Sequence, residues 1–268
     1  LTRSPLLLAL VLIAALPESA RFMVARGYAA ERIAKVLKRI APLPKTPHFM
    51  LQEEGQIKAA SPLGMIFSRR YLLGTLMLCL TYFMGLMIFY LLTSWLPLLI
   101  RETGASVTQA SLITALFPLG GGLGVLIIGW LMDRMNPHKV VAVGYLLTGL
   151  FVGMIGFVYA DPPLMAITVF IAGTCMNGAQ SSMPALAAGF YPTQSRATGV
   201  AWMLGLGRFG GILGAMSGGA LMQMQLSFST IFTLLAIPAL IAALALIAKH
   251  LSGYPALPAP LNKNAVRE

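Results

Sequence analysis

The charged positions of this chain are bunched, and the intervals between them are long. No Asp, Glu, Lys or Arg occurs between Arg70 and Arg101, Glu102 and Asp133, Lys139 and Asp161, Asp161 and Arg196, or Arg208 and Lys249. A helix that crosses a bilayer needs about 20 predominantly apolar residues. The intervals therefore predict six spans, near 72–99, 108–131, 140–160, 164–190, 197–222 and 228–248, with the last interval divided at the polar run QMQLS of residues 223–227. A further apolar stretch at 5–16 is too short to cross alone.

Composition turns this pattern into a fold class. Hydrophobic residues make up 57% of the chain, charged residues 10%, and the mean hydropathy is +0.80, whereas soluble domains carry roughly 25% charged residues. The expectation is an all-α, multi-pass membrane protein. The two cysteines, Cys79 and Cys175, fall inside predicted spans and read as small apolar packing residues rather than a disulfide framework.

The net charge of +11 would suit nucleic acid, but its placement points to lipid and sets a topology. Ten of the 19 Lys and Arg residues lie in 17–70; alternate loops then carry Arg134 and Lys139, Arg196, and finally Lys249, Lys263 and Arg267, while the opposite loops hold only Arg101. Cytoplasmic loops are enriched in Lys and Arg. All six spans obey one orientation, with residues 17–70, the basic short loops and the tail on the cytoplasmic side. Within YAAERIAKVLKRI, Ile33, Val36, Leu37 and Ile40 recur at helical spacing while Arg32, Lys35, Lys38 and Arg39 take the other face. That is a basic amphipathic helix, suited to anionic lipid or, as the alternative, to a calmodulin-like partner. APLPKTP breaks it, and the rest to Ser68 reads as an irregular connection.

The run GLGRFG, residues 205–210, fits G-x-G-x-x-G. A dinucleotide-binding turn would follow a strand, open a helix and be trailed by an acidic residue about 20 positions on. Here the flanks are one long apolar run, and no acidic residue lies between Asp161 and Glu268. The glycines fit a different use: Gly207, Gly211, Gly214 and Gly218 form a smooth stripe on which another helix can pack closely. Arg208 stands next to that stripe, and a charge inside the bilayer faces a bundle interior or a water-filled cavity.

No nucleophile, metal or redox constellation competes with a transport reading. His48, His138 and His250 are outside the predicted spans and far apart in sequence, so no metal site and no cofactor is expected, and the chain does not read as an enzyme.

Three stretches carry a family resemblance. LPESARF at 16–22 resembles the PESPR signature after the sixth span of major facilitator families, with Ala20 in place of the proline. GWLMDRMNPHKV at 129–140 resembles the superfamily's G-x-L-x-D-R-x-G loop between the eighth and ninth spans, with Asn136 in place of the glycine. FYPTQSRATGVAWMLGLGRFGGILG at 190–214 is similar to the aromatic acid:proton symporter family. The resemblance implies the six-span C-terminal bundle of a twelve-span major facilitator fold. Residues 1–16 would be the truncated end of the sixth span, 17–70 the central cytoplasmic loop, 71–249 the bundle and 250–268 a cytoplasmic tail, partnered by a missing N-terminal half.

It also implies proton-coupled uptake of an aromatic carboxylate such as a hydroxybenzoate, across a bacterial inner membrane. Arg208 is the candidate for the substrate carboxylate, since a planar guanidinium holds one with two parallel hydrogen bonds; an ion pair with the absent half is the alternative. Trp202, Phe209, Phe117 and Tyr82 are candidates for the ring, and Asn177 and Gln180 for polar contact or interhelical hydrogen bonding. The resemblance gives Asp133 a gating role, with Arg134, His138 and Arg196 beside it on the same side; topology-fixing interfacial charges are the alternative. Transport of another solute, such as a sugar or aliphatic acid, and a non-transporting remnant subunit stay open. No acidic residue falls inside a predicted span, so the proton carrier is expected in the absent half.

Overall fold

The computed structural model describes Met23, residues 28–38 and residues 61–252. The apolar stretch at 5–16, the 16–22 signature, His48, Arg39 and Ile40, and most of the 250–268 tail lie outside the described residues. Two units are distinguished, 1–58 and 59–268.

In the first unit the amphipathic stretch forms α1 (Ala30–Leu37). Ile33 is buried, Val36 and Leu37 are half-buried, and Arg32, Lys35 and Lys38 are exposed, as the spacing requires. The Arg32 guanidinium lies over the Tyr28 ring at 5.3 Å.

In the second unit the approach to the first span is not irregular throughout. Ser61 and Pro62 start a short helix, α2 (Pro62–Ile66), because the Ser61 hydroxyl accepts from the Gly64 N–H and Pro62 occupies a first-turn position where no N–H is needed. Six long apolar helices follow: α3 (Leu72–Glu102), α4 (Val107–Met132), α5 (Pro137–Ile155), α6 (Pro162–Phe190), α7 (Thr193–Gln223) and α8 (Phe228–Leu251). Their boundaries extend the predicted ones by a few residues, except that α5 stops at Ile155 rather than reaching 160.

Side-chain caps fix most of the turns. Ser106 and Gln109 form a capping box on α4; the Asn136 side chain accepts from the His138 and Lys139 N–H groups ahead of Pro137; Asp161 caps α6 and Ser227 caps α8. Gly104, at φ 93°, reverses the chain after α3, a conformation that only glycine adopts freely.

The spans pair through backbone approaches that glycine permits. On α7, a Cβ at Gly207 would meet the Tyr82 ring, at Gly211 the Tyr90 ring, at Gly214 the Met87 carbonyl and at Gly218 the Trp95 indole, so the predicted stripe seats α7 against α3. The Trp95 indole N–H donates to the Ala215 carbonyl at 2.7 Å across the same seam. A second seam joins α4 and α6, where Gly120 and Gly124 meet the backbone of Phe170 and Thr174, and Gly173 and Gly178 meet that of Phe117 and Gly124. In both seams residue numbers rise together, so the paired helices run parallel. The third pair is antiparallel: Gly149 and Gly156 of α5 lie against Ala236 and Ser229 of α8. Exchanging α3–α5 with α6–α8 maps the first seam onto the second and the third onto itself, the signature of an inverted repeat.

Candidate functional site

Arg208 sits midway along the 31-residue α7, between Thr193 and Gln223. At 1.5 Å per residue it is about 22 Å from either end of the helix. Its Nη1 donates to the Tyr90 hydroxyl at 3.3 Å, and it makes no ion pair with a described residue. Tyr82 of α3 lies close by, its ring packed over Gly207, the residue before Arg208. Gly207 and Gly211 flank Arg208 with no side chains of their own, which is what allows the two tyrosine rings to come this close to α7.

Gln180 lies behind these residues, buried, and ties three spans together. Its Oε1 accepts from the buried Tyr145 hydroxyl at 2.5 Å, and its Nε2 donates to the Tyr82 carbonyl at 3.4 Å. A Cβ at Gly85 would collide with both the Gln180 amide and the Tyr145 hydroxyl. The network fixes the backbone at Tyr82 and so the tyrosine wall opposite Arg208.

The other predicted binding residues divide between two places. Phe117 and Asn177 border a cavity of about 480 Å³ between α3, α4 and α6. It adjoins the Arg208 region through α3: Phe89 is edge-on to Tyr90 at 5.4 Å and tilted against Phe117 at 6.2 Å. Asn177 donates to the Gly173 carbonyl of its own helix at 3.0 Å. Trp202 and Phe209 are not brought to Arg208. At 100° per residue they point more than a quarter turn away from it; Trp202 packs edge-on against Phe67 at 5.5 Å and Phe209 is 61% exposed.

The four residues expected at the gate occupy one end of the bundle without forming one cluster. Asp133 is exposed at the C-cap of α4. Arg134 lies over the Trp130 ring at 3.9 Å, held by its own helix. Arg196 is in the first turn of α7, and its buried Nε has no hydrogen-bond partner among the described residues. His138 departs most from the sequence reading. His138 and His250, outside the predicted spans and far apart in sequence, occupy the first turn of α5 and the last turn of α8, where the fold stacks their rings at 6.0 Å. Between these helices the buried Lys249 ammonium approaches His138 Nε2 at 2.5 Å and the Phe190 ring at 4.2 Å. No group of three or more His, Cys, Asp or Glu able to hold a metal occurs among the described residues.

Sequence reasoning missed Tyr90, Tyr145 and Lys249. For Tyr90 the signal existed, since it lies about two turns after Tyr82 on α3 and meets the same glycine stripe. For Tyr145 and Lys249 it did not: their partners are 35 and 111 residues away.

Comparison with known proteins gives one consistent answer. Residues 78–266 match the family model of the Major Facilitator Superfamily. The chain is 53% identical over 249 residues to the 4-hydroxybenzoate transporter PcaK of Pseudomonas putida, covering 92% of this chain and 56% of that protein. It is 45% identical over 248 residues to the gallate transporter of Pseudomonas putida, covering 91% and 55%. Against the benzoate transport protein of Acinetobacter baylyi it is 34% identical over 241 residues, covering 88% and 51%. The chain thus spans about half the length of the curated relatives it matches.

Proposed function

Because the chain belongs to the Major Facilitator Superfamily, an integral multi-pass membrane protein with six spans of that fold, we propose that it serves as the C-terminal half of a transporter for hydroxybenzoate-type aromatic acids in a bacterial inner membrane. The observation that carries this is Arg208: a permanent cation at mid-span, hydrogen-bonded to the Tyr90 hydroxyl and ion-paired to no described residue. Insertion scales put the cost of an arginine at a helix centre at about 2.5–3.5 kcal/mol. A substrate carboxylate would offset that cost with two parallel hydrogen bonds to the guanidinium. The flanking tyrosines supply aromatic edges against which a benzoate ring packs. The names of the relatives, transporters of 4-hydroxybenzoate, gallate and benzoate, support the same substrate class.

In this mechanism Arg208 is the binding cation, Tyr90 and Tyr82 orient it, and Gln180 with Tyr145 holds the tyrosine wall in place. The substrate site forms where this bundle meets an N-terminal half, as is general for the architecture. Asp133, Arg134, His138 and Arg196, at the end bearing most of the basic loops, act on the equilibrium between inward-open and outward-open states, and uptake is coupled to protons. The test is uptake of labelled 4-hydroxybenzoate into cells making this chain together with an N-terminal half, with the proton gradient intact or collapsed. Accumulation that needs the gradient supports the reading; accumulation unaffected by its collapse removes the coupling, and no accumulation removes the transport assignment.

A further inference from the structure

A second cavity, of about 280 Å³, opens between α4, α5 and α6 toward the end of the bundle where Arg134 and Lys139 stand. Its shape follows from how the three helices meet. Gly124 lets α4 close on the Thr174 backbone, and Gly144 lets α5 close on Ala179 and Ile128. Beside these contacts α4 and α5, antiparallel and joined by the short turn at 133–136, leave a slot floored by Thr174 and Cys175. One wall is Ile127, Leu131 and Met135, four residues apart on α4; the other is Leu147, Val143 and Lys139, four residues apart on α5. Each stripe covers two helical turns, about 12 Å, and both end at the basic turn.

The slot is reachable from outside the bundle, since Ile127, Met135, Lys139, Val143 and Leu147 are all exposed. Lys139 is the one charged residue in its lining, and the ammonium has no hydrogen-bond or ion-pair partner among the described residues. The Thr174 hydroxyl already donates to the Phe170 carbonyl at 2.9 Å. The walls therefore offer hydrocarbon along their length and a cation at one end, and the adjoining turn, with Arg134 and Lys139 against Asp133, is net basic. A ligand that matches is apolar along about 12 Å and anionic at its tip. In a membrane protein that description fits a lipid: 12 Å is most of one leaflet of a hydrocarbon core about 30 Å thick. The Lys139 stem lies along the wall while its ammonium reaches the headgroup level. A zwitterionic lipid brings its own cation to the phosphate, whereas a net-anionic one leaves that place to the protein.

We infer that the slot between α4 and α5 holds an acyl chain of a phospholipid with a net-anionic headgroup, and that Lys139 selects that headgroup. Basic pockets between spans on the cytoplasmic side of a membrane are suited to such lipids.

The test compares binding of dioleoyl phosphatidylglycerol, which is net-anionic, and dioleoyl phosphatidylcholine, which is zwitterionic, to the full chain in detergent, read as retained lipid by native mass spectrometry. The wild type is expected to bind phosphatidylglycerol about fivefold more tightly. Lys139→Gln should remove that preference without weakening phosphatidylcholine, and Lys139→Arg should keep it. Val143→Trp, which fills the slot from its exposed wall, should weaken both lipids, while Arg101→Gln, which removes a cation at the end of α3, should leave the preference intact. Equal binding of the two lipids by the wild type, or a preference that survives Lys139→Gln, overturns the headgroup assignment. Unchanged binding in Val143→Trp overturns the slot as the place of the acyl chain. Loss of phosphatidylglycerol binding when the chain is assembled with an N-terminal half also overturns the inference, because protein then covers the slot.

Discussion

Lys249 Nζ lies 2.5 Å from His138 Nε2, joining the last turn of α8 to the first turn of α5. An ammonium group can only donate, so Nε2 must accept, and the ring is the neutral tautomer with its proton on Nδ1. No described carboxylate compensates the buried ammonium, which relies on this acceptor and on the Phe190 face beneath it.

Removing one partner should therefore cost more than removing both. His138→Phe is expected to destabilise the bundle by about 1–3 kcal/mol, because it leaves a buried ammonium without its acceptor, and adding Lys249→Met should recover most of that loss. Thermal unfolding of the four variants in detergent closes the double-mutant cycle. Additive losses would mean that the two groups are independent.

The glycine seams give a second prediction with an internal contrast. A Cβ at Gly214 would collide with the Met87 backbone carbonyl, which cannot move without separating α7 from α3, whereas Gly205 has nothing within 4 Å of the same position. Gly214→Ala is expected to destabilise the bundle by at least about 1–3 kcal/mol, the range for overpacking. Gly205→Ala is expected to be neutral or to stabilise by about 0.5–1 kcal/mol through helix propensity. Equal melting temperatures for the two variants would remove the close α3–α7 contact from the account.

These contrasts also mark how far the sequence carries. The six spans were legible because a bilayer demands long uncharged intervals, and the stripe at 207–218 because close helix contact demands small residues at helical spacing. What α7 packs against was not legible, since Gly207 meets Tyr82 across 125 residues of chain. The same limit explains the site. Arg208 stood out as a charge where none is expected, while Tyr90 and Tyr145 are ordinary residues until the fold gives them partners.

The binding role of Arg208 predicts a loss that charge alone does not repair. In the assembled transporter Arg208→Ala should abolish uptake of 4-hydroxybenzoate while leaving the protein in the membrane. Arg208→Lys should lower apparent affinity by about tenfold or more, because the ammonium keeps the charge but not the paired hydrogen bonds. Uptake by Arg208→Ala near the wild-type rate would sink the carboxylate assignment.

For Asp133 the proposed role is conformational, and the expected effect differs in kind. The residue is exposed at the C-cap of α4, far along the helix from Gly121 and Phe117 at the cavity. Asp133→Asn should slow transport several-fold by shifting the balance of inward-open and outward-open states, with substrate affinity measured in a fixed state changed by less than about twofold. Cysteine probes on the same face report that balance, and identical labelling in mutant and wild type would count against the gate.

Proton coupling supplies the last prediction. A symporter needs a group that changes protonation during the cycle, and carboxylates buried in the bundle are the usual relays. In this chain Glu102 ends α3, Asp133 follows α4 and Asp161 caps α6, so none lies within the interior of a span. Among the described residues, the cluster of His138 with Lys249 and His250 is at one end of the bundle, remote from the mid-span Arg208. The relay is accordingly proposed on the N-terminal half, and this chain in vesicles by itself should show no substrate-induced proton movement, whereas co-expression with such a half should restore it. Proton movement in vesicles holding this chain alone would place the relay within these six spans, with the His138–Lys249 pair as the first group to mutate.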